Sequence, residues 1–124
     1  MVSLNVRSEH TETQYVYKFE ASGSKSQAGQ IWHQLGENGY WHVFSLGGNE
    51  TFFFDHETGK FGWEWRLSKK LGWEGLKEAW YVESEGQKSG VVEFKYGDSM
   101  GFGNLGLVGA AALGLAVLFV VLRK

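Results

Sequence analysis

Cysteine is absent from the 124 residues, and so is proline. Without cysteine there is no disulfide framework, no thiolate metal site and no cysteine nucleophile. An excess of one charge is also lacking: 12 basic against 14 acidic side chains leave a formal net charge of −2. A general nucleic-acid binder needs a basic excess to neutralise phosphates, so nucleic acid is not an expected partner. Paired metal ligands are missing as well. The four histidines are His10, His33, His42 and His56, and no two of them stand three or four apart, the spacing that puts two ligands on one helical face. The glycine pairs, Gly47-Gly48 and Gly101-Phe102-Gly103, lack the lysine and following helix of a phosphate loop. Asp55-His56-Glu57 is the densest titratable cluster, and it falls where a hairpin is expected to turn. No catalytic residue, metal site or cofactor is expected.

What the chain does have is a strong division. All 14 acidic residues and 10 of the 12 basic ones lie in residues 1–100; residues 101–124 hold only Arg123 and Lys124. From Leu105 to Leu122 the chain reads LGLVGAAALGLAVLFVVL, without one polar side chain. At 1.5 Å per residue this run makes a helix of roughly 27 Å, close to the thickness of a bilayer's hydrocarbon core. Residues 105–122 are therefore expected to form a single transmembrane helix, with Arg123 and Lys124 anchoring its end at the headgroups. A small domain has no means of surrounding a helix that is apolar on every face. Gly106, Ala110 and Gly114 repeat every four residues and fall on one face. Small residues let helix backbones approach closely, so this face is expected to pack on a larger membrane protein or on a second copy. No export signal is read at the N-terminus, so the expected topology is tail-anchored, with residues 1–100 cytoplasmic.

Residues 1–97 read as a separate aromatic-rich domain, joined to the span by a short linker over 98–104. All 6 tryptophans, all 5 tyrosines and 7 of the 9 phenylalanines precede residue 101, enough apolar surface for a core at this size. The expected fold class is α+β: a small antiparallel sheet with one or two helices. Val2–Val6 and Tyr15–Phe19 alternate apolar with polar residues and suggest a hairpin. Ser24 with Gln27 fits a capping box, and Ala28, Ile31, Trp32 and Leu35 follow at helical spacing, with Gly36 or Gly39 as the stop. Residues 40–46, 50–55 and 60–67 read as an antiparallel meander joined by short turns. Ser68 is placed to cap a second helix with Leu71, Leu76, Ala79 and Trp80 inside, although Gly72 and Gly75 weaken it by about 1 kcal/mol each. Tyr81–Glu83 and Val91–Tyr96 flank a polar turn and suggest a closing hairpin. The stretch from Gln27 to Phe54, with LGENGYWHVFSL followed by ETFFF, resembles small β-α-β-β domains of unknown function. That resemblance implies a helix before Tyr40 and no particular activity.

The tryptophans are the remaining candidates for function. Trp63 and Trp65 share a strand face, and Trp73 and Trp80, seven apart, share a helix face if that segment is helical. Together they form a candidate docking face for protein, lipid or a stacked ligand. The combined expectation is a non-enzymatic, single-span membrane protein that serves as a structural or accessory subunit of a larger assembly. A membrane-associated virion protein linking a lipid layer to a capsid has the same architecture. A membrane-tethered ligand-binding module or enzyme using the tryptophan-rich face is the third reading.

Overall fold

A computed structural model describes residues 1–100 of the chain. The expected span over 105–122, its small-residue face at Gly106, Ala110 and Gly114, and the anchors Arg123 and Lys124 lie outside the described residues. Among those described, no helix is long and apolar enough to cross a membrane. The fold is a sandwich of antiparallel sheets with almost no helix. Its strands are β1 (Ser3–Ser8), β2 (Gln14–Ser22), β3 (Ala28–Leu35), β4 (His42–Phe44), β5 (Phe52–Phe53), β6 (Lys60–Ser68), β7 (Lys77–Ser84), β8 (Gln87–Lys88) and β9 (Val92–Lys95). One sheet has the order β1-β2-β6. The other has the order β4-β3-β7-β8, with β5 also on β3 and β9 also on β7.

The first hairpin is present in the expected place, β1 pairing β2 from Ser3↔Ser22 to Ser8↔Tyr17. The α+β expectation is corrected in two segments. Residues 28–35 carry a period-two pattern beneath the helical one. Gly29, Ile31 and His33 are buried while Gln30, Trp32 and Gln34 are only half-buried. The strand wins because both of its edges find partners: Ile31 stands opposite Phe44 on one side and Val82 on the other. Backbone pairing on two sides, with an isoleucine and an aromatic to pack, outweighs intrinsic propensity. The second expected helix shrinks to a single 3-10 turn, Lys69–Leu71, capped by Ser68 and closed by Gly72 at φ 72°. Trp80 then lies on a strand, and the seven-residue spacing to Trp73 no longer puts the two on one face. The expected meander is also replaced: β4 and β5 both pair with β3, and β6 pairs with β2.

Rings from both sheets fill the interior. Trp80, on β7, is fully buried and lies 4.8 Å from Phe19, 5.8 Å from Trp65 and 5.0 Å from Phe44, measured between ring centroids. Tyr17 of the first sheet stacks on Phe94 of the second at 3.9 Å. Gly29 and Gly59 stand at two of the close approaches that favour glycine. A Cβ on Gly29 would lie 2.6 Å from the Phe52 ring, and one on Gly59, at φ +69°, would lie 2.6 Å from the Gly23 carbonyl oxygen.

Trp80→Ala is expected to cost about 3–5 kcal/mol, because a large cavity opens between the sheets. Gly59→Ala is expected to cost about 1–3 kcal/mol through backbone strain and the clash with Gly23. Urea unfolding followed by tryptophan emission measures both.

Candidate functional site

Of the four tryptophans expected to form a docking face, Trp63 and Trp80 are buried, and Trp65 and Trp73 are half-buried against the same core. The fold does bring them together, but inward: Trp63 and Trp65 lie 6.4 Å and 5.8 Å from Trp80. Most of their ring surface fills the space between the sheets. The Asp55-His56-Glu57 cluster is an exposed turn. Asp55 Oδ2 accepts from the backbone N–H groups of Glu57 and Thr58, both at 2.8 Å, and these donors hold its carboxyl below the usual range.

Gly97-Asp98-Ser99-Met100-Gly101 matches the Gly-x-Ser-x-Gly pattern of a nucleophile elbow, largely within the expected linker. Among the described residues the geometry gives Ser99 no base. The neighbouring histidine, His10, accepts from the Val16 N–H at Nδ1 (3.1 Å) and donates from Nε2 to the Asp98 carbonyl oxygen (2.9 Å). No ring lone pair is left to take a serine proton. These bonds instead pin the chain as it leaves β9. The Tyr17 hydroxyl lies 3.2 Å from the Asp98 carbonyl oxygen, Ser8 N–H donates to the Met100 carbonyl at 2.9 Å, and Met100 N–H donates to Ser8 Oγ at 2.8 Å. The expected linker is therefore bound to the sandwich as far as Met100.

Two features stand out from an otherwise ordinary sandwich. The first is a polar chain through the core. Glu78 is fully buried on β7, two residues before Trp80 and facing the same interior. Its Oε2 accepts from the Tyr96 hydroxyl at 2.7 Å, and that hydroxyl accepts from Trp65 Nε1–H at 2.6 Å. Its Oε1 lies 2.5 Å from Nε2 of buried His33, off the direction of the ring N–H. His33 Nδ1 lies 3.2 Å from Nε2 of exposed His42, directly across the β3–β4 pair, and His42 Nδ1 lies 3.2 Å from the Tyr40 carbonyl oxygen. Burial, reinforced by Glu78, holds the Tyr96 hydroxyl well above its ordinary range. The Tyr17 hydroxyl is pushed up to about 12, chiefly by burial. The sequence signal for this chain is the placement of His33, His42 and Glu78 on neighbouring strands, visible only once the pairing of those strands is known.

The second feature is a contrast between the outer faces. On the first sheet the outer face is charged and internally paired. Lys18 meets Glu9 at 2.9 Å and Glu64 at 3.5 Å, Arg66 meets Glu64 at 2.9 Å, and a concavity of about 340 Å³ opens there beside Gly62. On the second sheet it is aromatic. Trp32 and Tyr81 stand opposite each other in register with nearly parallel rings, 6.0 Å and 6° apart, and Trp41 lies 4.9 Å from Tyr81. All three are half-buried, Val43 lies beside Trp32 in register, and the Trp32 indole N–H is buried with no acceptor.

No protein-family model matches the chain, and no curated protein matches it. Among solved structures it is similar to the β-glucosidase of Kluyveromyces marxianus in complex with glucose, at 13% identity and a TM-score of 0.43, over 82% of this chain and 14% of that one. The selenomethionine-labelled form of the same enzyme gives 16% identity and a TM-score of 0.41, over 77% and 14%. The chain thus spans about one seventh of these enzymes, and at TM-scores below 0.5 neither likeness supports a shared fold or activity.

His33→Leu is expected to cost about 1–3 kcal/mol, because Glu78 Oε1 then loses the polar group that faces it inside the core. The double variant His33→Leu/Glu78→Met is expected to cost less than His33→Leu alone, which urea titration of both decides. For the tyrosines the sign follows from proton binding. An unfolded tyrosine ionises near pH 10, whereas Tyr17 stays protonated to about 12 in the fold. The folded state thus binds the extra proton, and stability is expected to fall as pH rises from about 10 to about 12. Melting temperatures across that window should decline less steeply in Tyr17→Phe.

Proposed function

We propose that the chain is a single-span, membrane-anchored accessory subunit without catalytic activity. In this reading the β-sandwich is held at the bilayer surface and docks a larger membrane partner through its outer aromatic face. The observation that carries it is the pinning of Met100 on Ser8, five residues before the apolar run that begins at Leu105. Five extended residues span at most about 18 Å. A membrane-inserted run would therefore hold the Ser8–Gln14 end of the sandwich close to the headgroups.

The side chains at that end support the reading. Lys69 N–H donates to the Thr13 carbonyl at 2.9 Å, which puts the Lys69–Leu71 turn beside the β1–β2 loop. Trp73 packs on Tyr96 at 6.2 Å, next to the exit. Lys69, Lys70 and Leu71 are exposed and Trp73 is half-buried. Lysine and tryptophan are residue types that settle at the membrane–water interface. For the partner, the support is the outer face at Trp32, Trp41 and Tyr81. Three rings there stand outside a core that already has its own full set, and aromatic residues of this kind anchor protein interfaces. Residues 1–100 on the cytoplasmic side, and helix packing through Gly106, Ala110 and Gly114, are parts of the same proposal.

The test is extraction from native membranes. The chain is expected to stay in the pellet after an alkaline carbonate wash and to elute from mild detergent together with a larger protein. Trp41→Ala is expected to lower recovery of that protein about tenfold, the scale of a lost aromatic anchor, with little change in melting temperature. Release by carbonate, or elution only as a free monomer, overturns the proposal.

A further inference from the structure

We infer that the His33–His42 pair, backed by Glu78, is a binding site for one borderline divalent transition-metal ion. The inference is independent of the membrane reading and begins from which nitrogen holds a hydrogen. The Tyr40 carbonyl oxygen can only accept, so His42 Nδ1, at 3.2 Å from it, holds the hydrogen, and His42 Nε2 presents a lone pair. Glu78 is a carboxyl group buried at 0% exposure with Oε1 at 2.5 Å from His33 Nε2. Placing the His33 hydrogen on Nε2, the atom that faces Glu78 Oε1, leaves His33 Nδ1 with a lone pair toward His42 Nε2. Two lone pairs facing each other at 3.2 Å repel unless a cation lies between them, either one shared proton or a metal ion.

Several observations favour the metal. Two imidazole nitrogens bound to one tetrahedral ion at about 2.0–2.1 Å lie about 3.3 Å apart, and here the spacing is 3.2 Å. His42 Nδ1 is held from behind by the Tyr40 carbonyl, which is how metal-binding histidines are oriented, and His33 Nε2 faces the buried Glu78 side chain. His42 is exposed, so an ion reaches the pair from solvent. Phe44 at 5.9 Å and Trp80 at 4.3 Å from the His33 ring wall off the inner side. Imidazole pairs suit zinc, copper and nickel. Among the described residues no group of three or more histidine or acidic side chains forms a metal cage, so the protein supplies two donors and water completes the shell.

The experiment titrates the full chain in detergent micelles with Cu²⁺ and, separately, Zn²⁺. Cu²⁺ is expected to quench tryptophan emission, saturating at one equivalent and reversing with EDTA, with two-nitrogen coupling in the Cu²⁺ paramagnetic resonance spectrum. Zn²⁺ is expected to raise the melting temperature. His42→Ala should weaken both effects at least tenfold while leaving the metal-free melting temperature unchanged; if that variant melts early, His42→Gln is read in its place. Glu78→Gln, with both histidines kept, should weaken binding by about 10- to 100-fold. His56→Ala, at an exposed turn elsewhere, should bind as the parent does. No saturable binding below about 1 mM, or binding unchanged in both His42 variants, overturns the inference and leaves a shared proton as the cation.

Discussion

The sandwich depends on Trp80. It is a large ring at zero exposure on a central strand of the second sheet, and it touches rings of the first sheet, Phe19 and Trp65, as well as Phe44 of its own. Sheets pack about 10 Å apart, and the gap must be filled at near-crystalline density. A short chain without disulfides meets that demand with large rings rather than many aliphatic side chains. This explains why the tryptophans, which look in the sequence like a surface for something else, lie mostly inside. Trp63 lies flat on its directly paired neighbour Phe19, 4.9 Å away with planes 5° apart, and the two act as one layer beneath Trp80.

Among the described residues Glu78 is the acidic side chain buried in this largely apolar interior, and its cost is offset locally. A carboxyl group buried without partners would be destabilising by several kcal/mol. Here one oxygen receives the Tyr96 hydroxyl and the other faces the His33 ring. The chain of polar groups continues to the surface at His42, so the core is linked to solvent through polar side chains. An apolar pair of similar volume would avoid that cost, which is the physical ground for a functional role at this network.

The exit of the chain gives the molecule a direction. His10, Tyr17 and Ser8 hold Asp98 and Met100 against one end of the sandwich, so the polypeptide beyond Met100 departs from a defined place. The two outer faces differ in character: the first sheet pairs its charges with one another, and the second carries Trp32, Trp41 and Tyr81. The proposed docking face and the proposed bilayer-facing end are thus different parts of the surface. This asymmetry lies in the fold whatever the partner proves to be.

Some of this was legible in the residues alone. The alternation in β1 and β2 is strict enough to define their hairpin, the aromatic count required a core before residue 101, and the exposed polar turn at Asp55–Thr58 was recognisable. Residues 28–35 were not, because Ala28, Ile31, Trp32 and Leu35 satisfy a helical period while Gly29, Ile31 and His33 satisfy a strand period. Local pattern cannot choose between two periods that share residues; backbone pairing with β4 and β7, distant in sequence, makes the choice. The same choice sets the fate of the side chains. Pairing β3 with β4 brings His33 opposite His42, and packing β7 face inward delivers Glu78 to the same point. By itself, the sequence determined that there is an aromatic folded unit before residue 101, a wholly apolar run after it, and no cysteine chemistry in either. Only the tertiary structure decided which tryptophans are core and which are surface, and that three titratable side chains from three strands meet, because those outcomes depend on contacts between segments that the sequence keeps far apart.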